Sequence, residues 1–231
     1  MLAITSLAIY ICLTGAAIVA FWIIGSLRFT GQIETPRYAV VTKNSEYEVR
    51  EYEPYIVAKA EVPGPYASAL NRGFRIIADY IFGNNMRAGY AIMQGNENDL
   101  QVGSQQSKGS EKIAMTAPVI SEETGLNVHG SYSISFVMPS KYSMDTLPVP
   151  RDARVKIDRV ERQRVAAKIF SGYATDKRVQ EECKKFRLML ERDGIRSSPK
   201  CKVAQYNPPW TFPLMRHNEL IIDLQEEIGK N

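Results

Sequence analysis

Residues 53–83, EPYIVAKAEVPGPYASALNRGFRIIADYIFG, carry the reading that decides the fold. Tyr55 to Val62 is a strand-like run closed by the breaker cluster Pro63-Gly64-Pro65. Leu70, Phe74, Ile77 and Ile81 then recur at helical spacing, which predicts an amphipathic helix of about four turns ending at Gly83. The plan returns in residues 161–194, ERQRVAAKIFSGYATDKRVQEECKKFRLMLERDG. There Arg164 to Phe170 is the strand, Ser171-Gly172 the break, and Val179, Cys183, Phe186 and Leu190 one face of a helix closing at Gly194. Glu53 matches Glu161, Val57 matches Val165, Ala58 matches Ala166 and Gly64 matches Gly172. With one inserted residue the four apolar helix positions coincide as well.

Each copy has a further strand in front of it. Tyr47, Val49 and Glu51 alternate with Glu48, Arg50 and Tyr52 before a turn at Pro54, and Val155 to Val160 stands in the same place before the second copy. Neither copy is able to bury its sheet face alone. The economical arrangement is therefore one α+β domain, a pseudo-two-fold repeat of two β-β-α-β halves, spanning residues 37–225 with a tail at 226–231. Phe74 and Phe186 are expected in corresponding places, each buried against the sheet. Between the copies, Tyr132, Ile134, Phe136 and Met138 alternate with Ser131, Ser133 and Ser135, a strand with one dry and one wet face. Gly83 to Glu111 is a long polar stretch, read as a loop: a tolerated insertion or a lid over a pocket.

The chain has 231 residues, 45% hydrophobic and 23% charged, and a net charge of +4. Its basic residues are interleaved with acids, so nucleic acid is not an expected partner. Cys12, Cys183 and Cys201 show neither a CxxC nor a metal-ligand spacing, and no structural disulfide network is expected. Met1 to Leu27 contains no charged side chain. About 20 apolar residues span a bilayer as a helix, so this stretch reads as a single transmembrane anchor, followed by a linker over 28–36. A cleavable signal peptide is the competing reading, but no Lys or Arg precedes the apolar stretch, which runs on past Ala16, Ala17 and Ala20. Arg28, Arg37 and Lys43 follow the anchor, which favours the cytoplasmic side for the domain.

Three stretches resemble signatures of the SOUL family of haem-binding proteins. The first is Tyr47-Glu48-Val49-Arg50-Glu51-Tyr52 followed by Val57-Ala58. The second is Glu111-Lys112-Ile113-Ala114-Met115-Thr116-Ala117-Pro118-Val119, extended by Phe136-Val137-Met138-Pro139 and Thr146-Leu147-Pro148. The third is Tyr206-Asn207-Pro208-Pro209-Trp210-Thr211 with Arg216-His217-Asn218-Glu219. The resemblance covers about residues 34 to 224. It implies a distorted antiparallel sheet or barrel with two main helices, similar also to the effector-binding domains of bacterial multidrug sensors. It further implies that haem or another tetrapyrrole binds in a hydrophobic groove beside the first helix.

Carried onto this chain, that groove takes Leu70, Phe74, Ile77, Ala78 and Met115 for the macrocycle and Arg72 and Arg75 for the propionates. Ala78 and Phe74 fall where several animal members have methionines. The plainer reading of Leu70, Phe74 and Ile77 is core, and of the arginines a solvated helix face. Only two histidines exist, His129 and His217, so hemin is expected to be held by burial and propionate pairing rather than by an iron–histidine bond. Lys112, Arg216, Asn218 and Glu219 read as a structural polar network. No catalytic motif is visible. Two other functions stay open. A hydrolase would use Glu219 or Glu51 as general base, and a sensor of amphipathic cations would need an acidic pocket floor.

Overall fold

A computed structural model describes residues 33–87, 109–125 and 130–225. The anchor expected over 1–27, most of the polar stretch and His129 lie outside the described residues. Among the described residues, no helix is long and apolar enough to cross a membrane.

Strands β1 (Tyr38–Lys43), β2 (Glu48–Tyr52) and β3 (Tyr55–Pro63) lead into helix α1 (Tyr66–Ile81). Short β4 (Asn85–Met86) is followed by β5 (Val119–Glu123), β6 (Ser131–Val137) and short β7 (Val149–Pro150). The second copy then runs β8 (Lys156–Val160), β9 (Gln163–Phe170), α2 (Asp176–Arg192), β10 (Lys202–Gln205) and β11 (Asn218–Asp223). Each unit is thus β-β-α-β-β, one strand longer than the sequence pattern implied. Gly64 and Gly172, matched in sequence, both sit at positive φ, 109° and 84°, where a side chain would be strained.

The main sheet has nine antiparallel strands in the order β1-β2-β9-β11-β10-β5-β6-β3-β8. Each unit therefore sends its first strand across to the other. Tyr52 of β2 pairs with Gln163 of β9, and Val160 of β8 pairs with Tyr55 of β3, so the match of Glu53 with Glu161 turns one pairing into the other. The exchange also dictates the curvature. β2 and β3 stand six places apart in the sheet, roughly 29 Å if it were flat. Yet only Glu53 and Pro54 join them, a reach of about 11 Å. Glu161 and Arg162 span the equivalent gap between β8 and β9. The sheet must curl into a half-barrel, and at the seam the Tyr52 and Tyr55 rings come to 6.1 Å.

Both helices cover the outside. Under α1 lie Ala58, Ala60, Ile134 and Phe136; under α2 lie Val49, Ala166, Leu220 and Ile222. A Cβ on Gly73 would stand 2.4 Å from the Ile134 side chain, so glycine there sets how closely α1 approaches β6. The expected equivalence of Phe74 and Phe186 is corrected. Phe186 is fully buried, as is Ile77 of α1, which the matched copies place opposite it. Phe74 is half-buried against the Phe136 ring.

One cysteine pair that the sequence reading did not single out is bonded: Cys183 of α2 and Cys201 beside β10 form a disulfide, with Cα atoms 6.2 Å apart. Spacing gave no hint because the pairing comes from α2 packing over the sheet, not from a motif. Closing an 18-residue separation lowers the entropy of the unfolded chain by about 3 kcal/mol equivalent. Cys183→Ala together with Cys201→Ala should lose about that much in urea unfolding, and adding reductant to the parent chain should reproduce the loss.

Candidate functional site

The inside of the half-barrel carries an unusual load for a sheet interior. Alternation along β2 and β11 turns Arg50, Tyr52, Glu219 and Ile221 inward, while Val49, Leu220 and Ile222 face the helices. Arg50 pairs with Val165 across the ladder and Glu219 with Ile169. Ala167, paired with Glu48 on one side and Ile221 on the other, lies on the diagonal between Arg50 and Glu219 in the ladder. The two terminal nitrogens of Arg50 donate to the Glu219 carboxylate at 2.9 and 3.0 Å, a bidentate pair in which both side chains are 2% exposed. Nε of Arg50 donates to Glu48 at 2.8 Å, and the Tyr38 ring lies 4.4 Å over the guanidinium.

Glu219 collects two further partners. The Tyr206 hydroxyl donates to it at 2.8 Å, and Nε2 of His217 lies 2.9 Å from its other oxygen. Burial by itself would raise the pKa of Glu219, but His217, Arg50 and Tyr206 outweigh burial and hold it at about 2. An ionised carboxylate only accepts, so the His217 nitrogen facing it carries the proton. Burial and the neighbouring Glu219 charge push the Tyr206 hydroxyl up, out of the range in which it ionises. The cluster is therefore a closed salt bridge with every strong group paired. Glu219 stays ionised and Tyr206 stays protonated at neutral pH.

The residues expected to hold a ligand are distributed differently. Ile77 and Ala78 are buried beneath α1, and Leu70 and Phe74 are half-buried against the same core. Arg72 donates to the Pro63 carbonyl. Arg75 is exposed. Met115, 48% exposed, lies in the segment tied to the end of α1 by the bond from Ile113 N–H to the Ile81 carbonyl, 2.8 Å. Leu70, Phe74 and Arg75 thus share one helix, with Met115 near its C-terminal end.

The expected network of Lys112, Arg216, Asn218 and Glu219 separates. Asn218 donates to the carbonyls of Phe170 and Gly172 on the outer face, Arg216 stacks 4.5 Å over Tyr173, and Lys112 is exposed. Arg50, Tyr52 and Tyr206 were missed as site residues. The alternation around Arg50 was legible, but its partner is 169 residues away.

A SOUL heme-binding protein profile matches residues 33–95 and 101–223, through both copies of the repeat. The chain belongs to the SOUL heme-binding protein family. Heme-binding protein 1 of Xenopus laevis is 26% identical over 200 residues, covering 82% of this chain and 92% of that one. Among solved structures, the SOUL domain is similar to the C-terminal domain of EcmrR, with 10% identity, a TM-score of 0.51, and coverage of 82% and 99% of the two chains. At that identity the likeness is one of fold. Family membership makes haem a candidate ligand of this SOUL domain.

Proposed function

We propose that this chain is a membrane-tethered tetrapyrrole-binding protein and not an enzyme. The observation that carries the reading is the SOUL match through the whole domain. Glu219 supports it by exclusion. Its charge is already neutralised by Arg50, so it is no acidic floor for an amphipathic cation. With a pKa of about 2 it is also a poor general base.

The macrocycle lies beside α1 against the accessible edges of Leu70 and Phe74 and against Met115, with Arg75 and Arg72 pairing the propionates. Ile77 and Ala78 back this surface from below. Iron contributes little, because Nε2 of His217 is taken up by Glu219 and its ring packs edge-on against Tyr206 at 4.6 Å. Hemin and metal-free protoporphyrin titrated into the full chain in detergent should then bind within about tenfold of one another, or about 1.4 kcal/mol. Replacing both His129 and His217 by Ala should leave hemin affinity little changed, and Arg75→Ala should weaken both ligands. Failure of both porphyrins to bind would overturn the function; loss of hemin alone in the double-histidine variant would overturn this mode of holding it.

Residues 1–27 act as the uncleaved tether. Deleting them should give a soluble chain that still unfolds cooperatively, and an aggregated truncate would place the segment in the core instead. The disulfide argues about sidedness. Disulfides persist in oxidising compartments, so Cys183–Cys201 favours an extracytoplasmic domain over the cytoplasmic side suggested by Arg28, Arg37 and Lys43. Thiol labelling of native membranes under non-reducing conditions separates the two.

A further inference from the structure

The two edges of the nine-stranded sheet are built differently. β8 carries Lys156, Asp158 and Arg159 among its five residues, the charged guard that keeps an exposed edge from pairing. β1 has no such guard. From Tyr38 to Thr42 it is uncharged, with Val40 and Val41 side by side, and all six of its residues are exposed. Tyr38, Val40 and Val41 expose 41%, 49% and 44% of their surface. Among the described residues, β1 has only β2 as a strand partner. An uncharged β-branched edge of this kind is a template for another strand.

We propose that β1 is the self-pairing edge of a homodimer, joining two copies of this chain antiparallel about a two-fold axis. The register follows from the bulge in β1. Val40 pairs with Arg50 and Thr42 with Val49, so the ladder skips at Val41. Tyr38, Val40 and Lys43 consequently share the inner face with Arg50 and Glu48, whereas Ala39 and Thr42 share the outer face with Val49. A continuous sheet must keep inner residues opposite inner ones. Placing the axis between Val40 and Val41 does so: Tyr38 faces Lys43 of the other copy, and Ala39 faces Thr42. Moving the axis by half a residue puts Tyr38 opposite Thr42, or Lys43 opposite Ala39, mixing the faces.

The chosen register also brings the Lys43 ammonium to a tyrosine ring instead of to Arg37. Lys43 pairs with Glu48 at 2.7 Å on its own chain, and Arg50, already 4.4 Å from the Tyr38 ring, pairs with Glu219, so each cation at the junction keeps its own counter-charge. The second copy is favoured over an unrelated peptide because the strand complements itself in face, charge and length. The N-termini of the two strands would stand about 20 Å apart. Ala117 and Ser140 hold Glu34 to the domain, which leaves residues 28–33 as each tether, a reach of about 20 Å that lets both enter one bilayer.

The test uses full-length chain in detergent or nanodiscs. Mass photometry of the parent should show dimer, and Val41→Lys, which places a charge at the axis, should return monomer with an unchanged unfolding transition. Under oxidation, a mixture of Tyr38→Cys chains with Lys43→Cys chains should cross-link well above either variant alone, since each cysteine faces the other's position and not its own. A monomeric parent at all concentrations, a dimer indifferent to Val41→Lys, or equal cross-linking by the single variants and the mixture would each overturn the proposal.

Discussion

Arg50→Met should destabilise the domain by about 3–5 kcal/mol, because it strands the buried Glu219 carboxylate without its cation. Arg50 and Glu219 are each 2% exposed and bonded through two parallel contacts. Methionine keeps much of the volume of the arginine stem, so the loss reports charge and not packing. A double variant, Arg50→Met with Glu219→Gln, should recover much of the loss, since Tyr206 and His217 still have an oxygen to address. Urea unfolding at neutral pH checks both, and a single variant within about 1 kcal/mol of the parent would mean that the pair is not buried in solution.

The same pair sets the acid response. The folded pKa of Glu219 is depressed from its ordinary value of 4.5 to about 2. Its contribution is therefore fully present above about pH 4.5 and is lost as pH falls towards 2. The parent should lose stability through that window, and the double variant should lose less.

Phe186→Ala should cost about 3–5 kcal/mol. The ring is fully buried between α2 and the sheet, among Val49, Ala166, Leu220 and Ile222, and stands 5.8 Å from the Tyr47 ring. The disulfide at Cys183, one turn earlier, limits how far α2 can move inward to close the space. Phe74→Ala should cost clearly less, because Phe74 is only half-buried. Equal costs at the two positions would restore the simple equivalence of the phenylalanines and contradict the packing found for α1.

Much was legible in residues 53–83 and 161–194. Apolar spacing along α1 and α2, the breaks at Gly64 and Gly172 and the strand alternation are local properties, and local sterics and burial enforce them wherever the chain runs. The family motifs were equally plain, since they are strings of residues. Three things depended on partners far apart in sequence. The first strands of the two units exchange, and the two-residue connectors then force the sheet to curl, which no single strand records. Cys183 meets Cys201 only once α2 lies over the sheet. Arg50 looked like one polar residue on an alternating strand, and only the curl of the sheet gave it Glu219, Tyr206 and the dry surroundings that make the pair strong. Both helices, the repeat and the family could be read in chain order; the additional strands and the pairings could not, because hydrogen-bonding and charge partners are chosen by proximity in space, which chain order does not encode.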